Sequence, residues 1–134
     1  MKKEQLKRIF EFLEENEEHK TPIKWKLINN IPLTEDDLNV KGDLDLFDSK
    51  IKSLPEGLKV SGTLDLIELN IETLPEGLKV GNNLLLAISS IQTLPKGLEV
   101  GGDLYIYGTP LTKYSGEELR EMIKPGFIKY DIVR

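Results

Sequence analysis

The chain has 134 residues, no cysteine, one histidine and a formal net charge of -5, from 18 Lys+Arg against 23 Asp+Glu. That length suits a single domain with a sizeable core, and the absence of cysteine excludes disulfides, thiolate nucleophiles and cysteine-bound metals. Residues 34–113 hold 13 acidic against 7 basic groups, so no contiguous basic surface for phosphate binding is expected and no nucleic-acid partner is predicted.

The first 33 residues read as an N-terminal cap. Leu6, Ile9, Phe10 and Leu13 recur at three- and four-residue intervals and give a helix one apolar stripe. Glu14, Glu15, Glu17 and Glu18 crowd the end of that helix, where the macrodipole disfavours them, so docking onto the following repeats must hold it. No stretch reaches the apolar length of a membrane span and the start is not a signal peptide, which predicts a cytoplasmic protein without a membrane partner. Ile23, Trp25 and Leu27 alternate with lysines, predicting a short strand with Trp25 as a core filler.

From residue 34 the chain repeats itself. "LPEGLKV" occurs at Leu54–Val60 and at Leu74–Val80, and "LPKGLEV" follows at Leu94–Val100. In that register Leu44, Leu64, Leu84 and Leu104 form one column, and Leu46, Leu66, Leu86 and Ile106 another. Val40, Val60, Val80 and Val100 form a third, and Ile51, Ile71, Ile91 and Leu111 a fourth. A 20-residue unit cannot bury its own apolar side chains but can share a continuous core with units stacked on it. The prediction is a parallel β solenoid of about four 20-residue coils over residues 34–113. The segments around Leu44–Leu46 and their equivalents form the clearest strand, and Leu-x-Val pairs such as Leu58 and Val60 form a second. Gly57, Gly77 and Gly97 mark one turn, and Gly42, Gly62 and Gly102 another, with Asn82 taking a left-handed conformation in the glycine column.

"LDLIELNIETLPEGL" resembles the Leu-x-Leu-x-x-x-x-Ile-x-x-Leu-Pro pattern of leucine-rich repeats, especially the short bacterial units. The resemblance covers residues 34–113 and implies parallel coils. Ser49, Leu69, Ser89 and Thr109 occupy the column that usually forms an asparagine ladder, and Leu-x-Val replaces Leu-x-x-Leu. A regular horseshoe and a flatter, β-helix-like coil both stay open. The layout is also similar to small uncharacterised bacterial and phage proteins. That likeness implies no biochemical activity, and a phage-encoded member would suit blocking of a host protein.

The period stops after Leu111, and residues 114–134 read as a C-terminal cap. Ser115 with Glu118 is a capping box for a short helix whose apolar face is Leu119, Met122 and Ile123. "FIKYDIVR" reads as a strand after Pro125–Gly126, covering the last coil.

Catalytic, cofactor and metal residues are not indicated. His19 has no spaced second ligand and no nucleophile. Asp45 and Asp65 share a column and would suit a hydrolase only inside a closed groove, which is the alternative enzymatic reading. The outward strand face is more informative. Phe47, Ile67, Ala87 and Tyr107 fall in one column, Leu85 and Tyr105 in another, with Leu69 and Ile88 at the rim, at positions that are polar in a solvated strand. The expected function is therefore a protein-interaction module. Its interface comprises Phe47, Ile67, Leu69, Leu85, Ile88, Tyr105 and Tyr107, with Asp43, Asp45, Asp65 and Asp103 as an acidic rim, and a homodimer is the simplest partner arrangement. A structural protein without a specific ligand is the third reading.

Overall fold

The structure, a computed structural model, describes residues 22–134, so the expected helix around Leu6–Leu13 and His19 lie outside the described residues. The solenoid is present. Strands β1 (Asn39–Val40), β3 (Lys59–Val60), β5 (Lys79–Val80) and β7 (Glu99–Val100) stack in parallel as one sheet, extended by β9 (Phe127–Ile128). Strands β2 (Leu44–Asp45), β4 (Leu64–Asp65), β6 (Leu84–Leu85) and β8 (Leu104–Tyr105) form the second sheet, extended by β10 (Ile132–Val133). Each coil thus contributes one two-residue strand to each sheet.

Register follows the repeat. Leu44 lies over Leu64, Leu64 over Leu84 and Leu84 over Leu104, while Val60, Val80 and Val100 match across the first sheet. Each coil reaches the next through ladder bonds: the Leu44, Leu64 and Leu84 N–H groups donate to the Thr63, Asn83 and Asp103 carbonyls at 2.9–3.0 Å. Because inward positions repeat every 20 residues, the leucine, isoleucine and valine columns merge into one core, with Leu64, Leu66, Leu84, Leu86 and Leu104 fully buried. Burying one such side chain contributes roughly 2 kcal/mol, so no single coil could be stable alone.

Two columns of left-handed residues mark corners of the coil. Gly57, Gly77 and Gly97 take φ between +74° and +82° just after the proline column. The other left-handed column is Asp48, Glu68, Ile88 and Gly108, at the end of the second strand. In the glycine column at the corner between the strands only Gly42 is left-handed, and Asn82 is not, contrary to the expectation for it. Gly62 and Gly102 serve close approach instead, since a Cβ on either would fall within 3 Å of the backbone of the coil before.

The N-terminal end corrects one expectation. Ile23–Ile28 is a helix, α1, rather than a strand, and Trp25 is 37% exposed rather than a core filler. Residues 23 and 27 stand four apart, a spacing that puts them on one side of a helix as well as of a strand. Both pack against the core, and Pro22 at the N-cap opens the helix. Lys26, almost wholly buried, bonds the Asp37 carboxylate at 2.8 Å, and the same oxygen accepts from the Thr34 N–H at 2.8 Å. Burial raises the Asp37 pKa, but the Lys26 bond and the Thr34 N–H outweigh it and hold the carboxyl below its usual range. A lowered folded-state pKa contributes stability above the unfolded value, lost as pH falls through the folded one. Asp37→Asn is expected to cost about 3 kcal/mol at neutral pH, and the variant and native unfolding curves in urea should converge as the solution is acidified.

At the other end, a 3-10 turn over Pro110–Lys113 leads to α2 (Gly116–Met122), whose capping box forms as expected between Ser115 and Glu118. Leu119 and Ile123 seal the last coil. The terminal segment expected as one strand is two short strands, each continuing one sheet. Arg120 donates to the carbonyls of Ile128 and Tyr130 at 2.6 Å, and Arg134 to those of Thr112 and Tyr114. Arg120 thus occupies carbonyls in and just after β9, the edge strand of the first sheet, and Arg134 those of the 3-10 turn and its cap.

Candidate functional site

Alternation along the second sheet sends residues 44 and 46 of each unit inward and residues 43, 45 and 47 outward. The outward face therefore carries three columns and the left-handed corner beside them. Phe47, Ile88 and Tyr107 are about half exposed, at 47%, 52% and 47%, while Ile67, Leu85 and Tyr105 are half-buried among their neighbours. The structure brings these six together on one face. No described residue covers Phe47, Ile88 or Tyr107.

Leu69, expected at the rim, is instead a core residue, 1% exposed. Residue 68 is left-handed, so strict alternation ends there and the next side chain swings inward. Its column confirms the direction: Ser89 and Thr109 are buried, and the Ser49 and Ser89 hydroxyls have no hydrogen-bond partner. Ala87, read as outward, is buried too, its single methyl lying between the larger Ile67 and Tyr107 of its column.

The four rim aspartates lie on this face, and each is held by a backbone N–H. Asp45 Oδ1 accepts from Phe47 and Asp65 Oδ1 from Ile67, both at 3.0 Å. Asp43 Oδ1 accepts from Thr63 at 2.7 Å, and Asp103 Oδ1 from Asp131 at 2.9 Å. Asn83 does the same for the Asp103 N–H. One oxygen of each carboxylate thus accepts from the backbone and holds the side chain in place. Three acidic residues of the same surface escaped the sequence reading: Asp48, Glu68 and Asp131. The signal for Asp48 and Glu68 was their place in the column that Gly108 closes.

Charge on the face is of one sign. Segments 43–48, 63–68, 83–88 and 103–108 with 131–133 hold seven Asp or Glu and no Lys or Arg. The rest of the chain has 16 acidic against 18 basic residues, so this face carries the whole negative balance.

Ile88 is out of place energetically. A β-branched residue at φ 59° clashes with its own backbone, at a cost of about 1–2 kcal/mol, and its exposed side chain recovers little of that by burial.

Asp45 and Asp65 are register neighbours but lie in neither of two grooves elsewhere. One, of about 430 Å³, runs along the first sheet beside Lys41, Lys59, Lys79, Glu99 and Phe127. The other, of about 450 Å³, lies between Leu74, Leu94 and Met122. Among the described residues no group of three His, Cys, Asp or Glu could hold a metal, and no helix is long and apolar enough to cross a membrane. Comparison with protein-family models, curated proteins and solved structures returns no match to this chain.

Proposed function

We propose that the protein is a binding module without catalytic chemistry, which engages another protein through the outward face of the second sheet. The observation that carries this reading is the exposure of Phe47, Ile88 and Tyr107 on one rigid face, beside half-buried Ile67, Leu85 and Tyr105. Aromatic and aliphatic groups of this kind form the centre of interfaces, where their burial supplies most of the affinity. The stacked coils hold them at fixed spacing, so little ordering entropy is lost on binding.

An isologous homodimer through this face would bring two copies of its seven carboxylates into one interface with no Lys or Arg of the face to neutralise them. The partner is therefore a different protein, and the isolated chain is expected to sediment as a monomer at tens of micromolar. Leu85→Ser with Tyr107→Ser changes two outward positions and should leave the fold intact by circular dichroism. Affinity capture from the source cell, read by quantitative mass spectrometry, should lose the proteins retained by the native chain at least tenfold. An unchanged set of retained proteins would overturn the reading.

Ile88 offers a second check. Asparagine tolerates the left-handed conformation, so Ile88→Asn should raise stability to urea by about 1 kcal/mol while weakening capture. A residue that costs stability and supports binding behaves in that way. Loss of both, or gain of both, would separate Ile88 from the binding surface.

A further inference from the structure

Resting on that reading, we infer that the occupant of the face is a cationic segment with a basic end and an apolar end, lying across the strands. The argument is the uneven distribution of chemistry along the coil axis. The first two coils present Asp45, Asp48, Asp65 and Glu68 around Phe47 and Ile67, and the last two present Leu85, Ile88, Tyr105 and Tyr107. Five of the seven carboxylates of the face, Asp43 among them, thus lie on the first two coils, and Asp103 and Asp131 border the last.

Complementarity then dictates the ligand. An acidic segment would be repelled, most strongly over the first two coils, and a neutral apolar one would leave the carboxylates there facing an uncharged surface. A Lys- or Arg-bearing stretch satisfies them, and because Asp45 and Asp65 are already fixed through one oxygen, they lose little side-chain freedom on pairing. The four coils span about 14 Å at 4.8 Å per step, which an extended peptide covers in four or five residues. Basic side chains sit over the first two coils and aliphatic or aromatic ones over the last two. Neither the orientation nor the segregation requires pairing with a sheet edge, and Arg120 already occupies the Ile128 carbonyl on the edge strand β9.

The test uses the full chain and four labelled, end-blocked hexapeptides in fluorescence anisotropy. One has three lysines followed by Leu-Tyr-Leu, one interleaves the same residues, and two replace the lysine block with glutamine or glutamate. The lysine-block peptide should bind at least tenfold more tightly than the other three and weaken as salt is raised. Asp45→Asn with Asp65→Asn keeps both Oδ1 acceptors and hence the fold, and should weaken the lysine-block peptide about tenfold without affecting the glutamine one. Leu85→Ser with Tyr107→Ser should weaken both. Equal binding of the glutamine or interleaved peptide, or insensitivity to the asparagine pair, overturns the inference alone. Absence of binding by every peptide, or insensitivity to the serine pair, overturns it together with the reading beneath it.

Discussion

Gly101→Ala is expected to destabilise the protein by at least about 3 kcal/mol, a large share of the stability of a domain this size. The added Cβ would stand 2.2 Å from the Gly81 carbonyl oxygen and 2.9 Å from its carbon. Both are backbone atoms of the coil before, so no side chain can rotate away. Relief requires the two coils to separate, and the Gly101 N–H to Val80 carbonyl bond of 2.8 Å lies in that contact. Gly77→Ala is the control. Its φ is +74°, yet no atom beyond its own residue and its two chain neighbours lies within 4 Å of the position a Cβ would take, so only conformational strain of about 1 kcal/mol is expected. Urea unfolding of the two variants should separate close stacking from turn geometry. Similar losses at both sites would show that the coils do not approach as described.

Leu84→Ala should cost about 3–4 kcal/mol, because the side chain is fully buried and its removal leaves a cavity that neighbouring coils cannot fill without breaking register. Leu84 sits between Leu64 and Leu104. Leu44, at the start of the column, has Leu64 on one side of it in the sheet and is 5% exposed. Leu44→Ala should therefore cost about half as much as Leu84→Ala, the gradient expected when stability is a sum over coil interfaces. Equal losses at the two positions would argue for a core organised in some other way.

The solenoid was legible because each inward column repeats one residue type at one spacing, and only stacked coils reward that agreement. The corners were legible in part. Glycine after proline carries its meaning in the sequence, whereas the left-handed corner is occupied by Asp48, Glu68 and Ile88, none of which announces it. That corner is why Leu69 was placed on the face: alternation predicts its direction only while the strand lasts. At Ile23 and Leu27 the difficulty was different, since a spacing of four fits both periodicities and only Pro22 and the packing decide between them.

The face was visible in the sequence as apolar residues at outward positions, and the structure leaves Phe47, Ile88 and Tyr107 exposed there. Its single-signed charge was not, because Asp48, Glu68 and Asp131 join Asp43, Asp45, Asp65 and Asp103 only once the corner and the terminal strand are folded into place. The roles of Arg120 and Arg134 were hidden for a similar reason. Nothing in a lone arginine says which carbonyls it will reach, although the open end of a solenoid demands some such cover.

The interior column that sets the face can be observed in solution by methyl-resolved nuclear Overhauser spectroscopy with selectively labelled leucines. Contacts are expected in an unbroken series, Leu44 to Leu64, Leu64 to Leu84 and Leu84 to Leu104, with none between Leu44 and Leu104. Methyl contacts from Leu64 and Leu84 directed mainly to Leu119 and other helical side chains would contradict the stacked coils and the surface they carry.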